Sequence, residues 1–220
     1  MNEKLTSAVY FYETDYERVK KLYATYSSSL PTCRQAKLND YTNKPEKMLS
    51  YISELMLRNI ICKKLGVENA SIQFATEEYG KPYLVGQPHF CFNISHTRFA
   101  VVVFVSGTKV GIDIESIQQS NELISKRFFS PSERKYLKSM SVEEHDKCFY
   151  EIWTKKEAYL KYTGEGLGKS LKSVDVIGSY VALKLRSYQI NNYMISVCSD
   201  DIDSQVDIIL VSDDFFDGVF

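Results

Sequence analysis

The sequence predicts an α+β protein built as two successive halves of similar order, a pseudo-duplicated arrangement. Three observations predict it. Short apolar runs of strand character alternate with longer segments of helical period. The order strand, helices, strands occurs twice, over 1–107 and again over 108–220. No low-complexity linker lies between the two, which places the junction near 106–110 in a tightly packed chain. The two halves show no visible sequence repeat.

In the first half, Ala8 to Tyr12 is short, apolar and aromatic and reads as a strand. From Asp15 to Tyr26, Val19, Leu22, Tyr23 and Tyr26 recur at helical spacing. A polar stretch with Pro31, Arg34 and Lys37 follows. Pro45 to Leu65 is again helical, with Met48, Ile52, Leu55 and Met56 as its apolar stripe; proline suits the first turn and Gly66 the stop. Ile72 to Phe74 reads as a short strand, Tyr79-Gly80-Lys81-Pro82 as a turn, and Phe90 to Ser95 and Phe99 to Ser106 as two further strands.

The second half opens with a strand, Val110 to Glu115. Helices are predicted over Glu122 to Phe129, Pro131 to Met140 and His145 to Tyr162, the last stopping near Gly164. Ser130 and Glu133 fit a capping box. Val174 to Ile177, Tyr180 to Arg186, Tyr193 to Cys198 and Asp207 to Val211 read as strands.

Composition narrows the class. A chain of 220 residues with 44% hydrophobic and 25% charged residues is an ordinary soluble globular protein with a sizeable core. A net charge of −1 excludes a broadly basic nucleic-acid binder but leaves room for a local basic pocket. The five cysteines are scattered, odd in number and form no C-x-x-C pair, so they read as reduced thiols of a cytoplasmic protein rather than a zinc or disulfide framework. The N-terminus lacks the apolar run of a signal peptide, and the apolar stretch from Phe99 to Val105 is too short to span a bilayer. No membrane and no nucleic acid are expected as partners.

Two segments carry the chemistry. In Gly111-Ile112-Asp113-Ile114-Glu115 the two acids point to one face of a strand. In Trp153-Thr154-Lys155-Lys156-Glu157-Ala158-Tyr159-Leu160-Lys161, positions 153, 157 and 161 share one helical stripe. Three carboxylates and a lysine can hold a divalent cation beside a phosphate. Asp113 and Glu115 could also be exposed strand-end residues, but the strand around them is apolar. Acids on a buried strand need a partner, which Mg²⁺ would supply. Glu157 and Lys161 also form an i,i+4 pair worth about 0.3–0.5 kcal/mol on any helix surface. Trp153, the single tryptophan, argues against a purely solvated face and reads as core. Glu133 is accounted for by its capping box and stays outside the site. Ser95 and His96 end an apolar run, where a hydroxyl, an imidazole and a backbone N–H could bind a phosphate together. The rival reading, a serine nucleophile with a histidine base, is weakened because adjacent residues on an extended chain point apart. Lys81, Arg34, Lys37 and Ser50 taken alone read as solvated side chains.

Five segments in this order resemble the Sfp-type 4′-phosphopantetheinyl transferases of the holo-carrier-protein synthase superfamily: Tyr79-Gly80-Lys81-Pro82, Phe92-Asn93-Ile94-Ser95-His96, Gly111 to Glu115, Arg127-Phe128-Phe129-Ser130 and Trp153 to Lys161. The resemblance runs from about Pro31 to Gly168. It implies transfer of the phosphopantetheine arm of coenzyme A to a serine of an acyl or peptidyl carrier protein, leaving adenosine 3′,5′-bisphosphate. It also implies coenzyme A in a cleft between two similar α+β halves. Asp113, Glu115 and Glu157 would coordinate Mg²⁺ at the pyrophosphate, and Lys161 would contact the attacked phosphate. Lys81, Ser95 and His96 would hold the nucleotide phosphates; Arg34, Lys37 and Ser50 would lie near the adenosine 3′-phosphate. Ala158 stands where the family commonly has serine. Glu157 or a metal-bound water would take the proton of the serine, and both remain open.

The implied partner is a small acidic helical domain. Arg127, Arg134, Lys135 and Lys138 form a basic cluster that either docks it or is an ordinary solvated helix face. The internal duplication implies a monomer. The Asp-rich stretch from Asp200 to Asp217 has no place in the resemblance and reads as solvated surface or a loose terminus. Two other functions use similar residues. A Mg²⁺-dependent nucleotide phosphohydrolase would not need the Lys81 and Ser95-His96 segments. A non-catalytic carrier-binding relative should have lost a carboxylate or Lys161, and all four are present.

Overall fold

A computed structural model describes residues 5–32, 35, 45–165, 171–178, 180–202 and 206–217. It is a mixed α+β structure. The first sheet has the order β4-β5-β1-β9: Cys91–Thr97 (β4), Ala100–Ser106 (β5), Ala8–Glu13 (β1) and Asp207–Leu210 (β9). The first three run antiparallel to their neighbours, and β9 lies parallel to β1 with Ala8 opposite Asp207. β5 is buried along its whole length, which is why it reads as an unbroken apolar run rather than an alternating one.

The alternation of β1 shows what each face meets. Ala8, Tyr10 and Tyr12 join Val19 and Leu22 of the helix Tyr16–Tyr26 (α1) and Leu49, Ile52, Leu55 and Met56 of the helix Pro45–Leu65 (α2). Asp15 starts α1 by accepting the Arg18 backbone N–H at 2.8 Å. Val9 and Phe11 face the other way, onto the second sheet. That sheet has the order β6-β8-β7: Val110–Ser116 (β6), Tyr193–Ser199 (β8) and Leu185–Ile190 (β7), all antiparallel. A hairpin of Phe74–Thr76 (β2) and Pro82–Leu84 (β3) stands apart from both sheets.

Three helices, Glu122–Phe128 (α3), Pro131–Lys138 (α4) and Val142–Thr163 (α5), follow β6. Phe149, Ile152 and Ala158 of α5 pack with Phe129, Leu137, Leu185 and Cys198. The layers are therefore helices, sheet, sheet, helices. α5 begins earlier than its apolar period predicts because the Ser141 side chain caps it, accepting the Glu144 N–H at 3.3 Å; it ends at Gly164, whose φ of 77° closes the last turn.

The strand predicted over Val174 to Ile177 is absent. Leu171–Ser173 is a 3₁₀ turn and an irregular stretch follows. Its backbone donors are taken by carboxylates instead of a ladder: Val176 N–H bonds Glu133 Oε1 at 2.9 Å, and Ile177 and Gly178 N–H bond Asp175 Oδ1 at 2.9 and 3.1 Å. Glu133 also receives the Ser130 N–H at 2.7 Å and pairs with Lys156 Nζ at 2.8 Å, both side chains fully enclosed. Lys156 donates further to the carbonyls of Leu171 and Val174. Likewise Tyr180–Lys184 forms a 3₁₀ turn, and the predicted strand there starts only at Leu185.

The acidic C-terminal stretch is not a loose end over 206–217. Asp213 accepts the Tyr12 hydroxyl at 2.8 Å and Arg18 Nη2 at 2.9 Å, and Asp217 accepts the Tyr26 hydroxyl. Asn59 and Lys63 on α2 donate to the Phe215 carbonyl. Phe216 is fully buried against Tyr12. The four described cysteines are free thiols, with Cys148 and Cys198 buried. Among the described residues no helix is long and apolar enough to cross a membrane. Truncating Phe216 to alanine should cost about 3–5 kcal/mol in urea unfolding, as for a core phenylalanine; a loss under about 1 kcal/mol would return this stretch to the status of a surface tail.

Candidate active site

The site grows from one close contact. A Cβ on Gly111 would stand 2.1 Å from the Ala158 carbonyl oxygen and 2.4 Å from the Tyr162 nitrogen, so α5 lies directly on the backbone of β6. This contact sets the stripe of α5 against the acids of β6. Lys161 Nζ donates to Asp113 Oδ1 at 2.7 Å and to Ser95 Oγ at 2.8 Å. Ser95 Oγ donates to the same Asp113 oxygen at 2.9 Å. The Trp153 indole N–H donates to Glu115 Oε1 at 3.3 Å. β4 is held to β6, its neighbour from the other sheet, by Asn93 Oδ1, which accepts the Ile112 N–H at 2.9 Å. That bond brings Ser95 to Asp113.

The charges do not balance. Asp113 is 5% exposed, and its Oδ2 is buried without a hydrogen-bond partner. Burial, then repulsion from Asp113, pushes Glu115 up to about 7, against the opposing Trp153 bond and Lys161. Glu157 is raised for the same two reasons, with Lys161 opposing. One ammonium thus serves three half- or fully buried carboxylates. Hard oxygen donors, an orphaned buried oxygen and mutual repulsion fit a divalent cation of the Mg²⁺ class. As the side chains stand, with Lys161 on Asp113, no three His, Cys, Asp or Glu groups among the described residues are gathered tightly enough to hold an ion.

The remaining predicted residues divide. Ser95 and His96 point apart, as adjacent strand residues must. His96 Nε2 lies 3.3 Å from Ser50 Oγ, and both line a cavity of about 890 Å³ with Thr76, Gly80, Pro82 and Ile94. Glu157 and Lys161 line a second cavity of about 290 Å³ with Tyr79, Lys81 and Asn93. Gly80, Pro82 and Ile94 border both, so the two adjoin. Lys81 turns its ammonium to the carbonyls of Val110 and Lys161, each at 2.7 Å, and of Tyr162 at 3.3 Å. It thereby ties the end of α5 to the start of β6, and no donor is left for a phosphate in this arrangement. Burial, then Lys109, brings its amine down to about 8. Arg34 and Lys37 lie outside the described residues.

Sequence reasoning gave Asn93 no role and read Trp153 as core. A lone amide in an otherwise apolar strand was the available signal for Asn93. Of the basic cluster, Arg134, Lys135 and Lys138 line a cavity of about 670 Å³ together with Lys126 and His145. Arg127 is not part of that lining; its guanidinium lies 5.1 Å from the Phe128 ring centre.

Comparison with known proteins identifies the family. The model of the 4′-phosphopantetheinyl transferase superfamily matches residues 109–206, and that of the 4′-phosphopantetheinyl transferase N-terminal region matches 15–108. The two adjoin and leave only the ends of the chain unmatched. The chain is a 4′-phosphopantetheinyl transferase of the Sfp type. Sfp of Bacillus subtilis is 28% identical over 192 residues, 81% of this chain and 86% of that protein. Another 4′-phosphopantetheinyl transferase of Bacillus subtilis is 34% identical over 65% of this chain and 64% of its own length. HetI of a Nostoc species, also a 4′-phosphopantetheinyl transferase, is 38% identical over 55% of this chain and 53% of its own.

Glu115 titrates at about 7 in the fold against 4.5 for the free side chain. Between those values the native state holds the extra proton, so this group's contribution to stability falls as pH rises through that window. In metal-free solution Glu115→Gln should therefore gain stability relative to wild type on going from pH 5 to pH 8, read by urea unfolding. Parallel pH profiles for the two proteins would refute the raised carboxyl.

Proposed function

We propose that this transferase moves the phosphopantetheine arm of coenzyme A onto a serine hydroxyl of an acyl or peptidyl carrier protein, in a Mg²⁺-dependent reaction that leaves adenosine 3′,5′-bisphosphate. The observation that carries the reading is the meeting of Asp113, Glu157, Lys161 and Ser95 beside a cavity that adjoins the one lined by Ser50 and His96. One end suits a pyrophosphate, the other an adenosine phosphate. On this reading coenzyme A lies in a cleft between an N-terminal half, 1–107, and a C-terminal half, 108–220.

Asp113, Glu115 and Glu157 are the residues that would hold Mg²⁺, which when bound offsets the charge of the pyrophosphate and of the departing phosphate. Lys161 brings a mobile positive charge. Its present bonds to Asp113 and Ser95 mean that turning toward a substrate phosphate would release the Asp113 oxygen it now covers. Ser95 would keep its hydroxyl hydrogen on Asp113 and lose only the Lys161 donor. Glu157, its carboxyl raised by burial, is a group of this chain suited to accept the proton of the incoming serine. The nucleophile comes from the partner, so no serine of this chain need be activated.

The carrier is read as an acidic helical domain that docks on the cavity lined by Lys126, Arg134, Lys135 and Lys138. A single chain carries all the groups invoked, which suits a monomer. Free thiols suit the reducing cytoplasm.

The deciding experiment is the intact mass of an apo carrier protein after incubation with this protein, coenzyme A and Mg²⁺. A gain of about 340 Da, one phosphopantetheine arm, is expected, and Asp113→Ala or Glu157→Ala should abolish it. No gain with several carriers and no binding of coenzyme A would overturn the reading. Arg134→Glu combined with Lys135→Glu should raise the apparent KM for the carrier with little change in that for coenzyme A. An unaltered carrier KM would remove this surface from the docking site.

A further inference from the structure

Trp153 has a feature that packing does not explain. It is the only tryptophan of the chain. Its ring is tilted against Phe128 of α3, with centroids 5.7 Å apart, and it joins the cluster of Phe129, Phe149 and Ile152. Phenylalanine would serve that purpose equally. The indole N–H is the part left over, and it goes to Glu115 Oε1. Among the described residues this is the only hydrogen bond found on the Glu115 carboxylate. Trp153 stands one turn before Glu157 and two turns before Lys161 on the same stripe. Lys161 grips Asp113 from one end of the stripe, and Trp153 grips Glu115 from the other.

We infer that Trp153 is a positioning residue for the cation site: its indole N–H fixes the Glu115 carboxylate on the face shared with Asp113 and Glu157. A flexible glutamate must lose rotamer freedom to bind a cation, and a donor that holds one oxygen beforehand removes part of that cost. The indole also becomes a reporter, because a cation drawn to the oxygens of Glu115 alters the hydrogen bond its N–H makes. The inference rests on the reading of Asp113, Glu115 and Glu157 as Mg²⁺ ligands. The competing account is that Glu115 merely satisfies a half-buried indole N–H.

The test titrates Mg²⁺ into wild type and Trp153→Phe by calorimetry, alone and with coenzyme A present. Phenylalanine keeps the ring contact with Phe128 and deletes only the donor. The Mg²⁺ dissociation constant should rise about 10-fold in the variant, the usual scale for a lost outer hydrogen bond on a ligand, while coenzyme A still binds. The wild-type emission should change saturably with the same Mg²⁺ constant, and Mn²⁺ should quench it. Equal Mg²⁺ affinity in the two proteins would overturn the inference and leave the metal reading standing. If wild type binds no Mg²⁺ under either condition, the metal reading itself falls. Should the variant fail to fold, the emission of wild type still decides: Mg²⁺ binding with unchanged emission overturns the role given to Trp153.

Discussion

The backbone of α5 rests on β6 at Gly111, with no room for even a methyl group between strand and helix. Everything chemical follows from that distance. Lys161 meets Asp113 and Trp153 meets Glu115, so helix and strand run in opposite senses. From Trp153 to Lys161 the helix rises about 12 Å, while Asp113 and Glu115 are separated by about 6.6 Å along the strand. The two outer side chains must therefore reach inward, and they are long ones. The middle position, Glu157, needs no reach and stays near both acids, as its response to the Asp113 charge indicates. A larger residue at 111 would lift the helix and lengthen every one of these contacts.

Two lysines of α5, Lys156 and Lys161, meet buried carboxylates in opposite ways. Glu133 and Lys156 are wholly enclosed, both Glu133 oxygens accept hydrogen bonds and the ammonium has several partners. That network orders the segment after Leu171 and has nothing left over for a ligand. One residue further along, Glu157 belongs to a set in which three carboxylates share one lysine and an Asp113 oxygen has no partner at all. Satisfied burial suits a structural pair, unsatisfied burial the site proposed here to take a ligand.

Much of this was legible in the sequence. β1, β5 and β6 announced themselves as apolar runs, and α1, α2 and α5 by period. The two repeat lengths put Asp113 with Glu115 on one strand face and Glu157 with Lys161 on one helical stripe; that the two faces form one site was implied by the family resemblance. Other features depend on contacts far apart in the chain. The residues from Val174 to Ile177 carry strand-forming side chains, yet their N–H groups find Glu133 and Asp175. Lys81 in a turn reads as solvated because nothing local reveals that the end of α5 needs a donor there. The aspartates near the C-terminus read as loose because their acceptors' partners, Tyr12, Arg18 and Tyr26, lie almost two hundred residues earlier. The partition into two successive halves likewise gave no sign that the last strand lies in the first sheet.

That last pairing bears on how the chain emerges from a ribosome. β1, β4 and β5 can associate as soon as Ser106 has been made, but the open edge of β1 has to wait until Leu210 is in place. For the whole interval the newborn first sheet exposes a strand rich in aromatic residues, with unpaired amides and carbonyls along its side. Such an edge is a template for a wrong partner, including the same strand of a neighbouring nascent chain on one polysome. The late arrival of β9 leaves the β1 edge open while all three strands of the second sheet are being made.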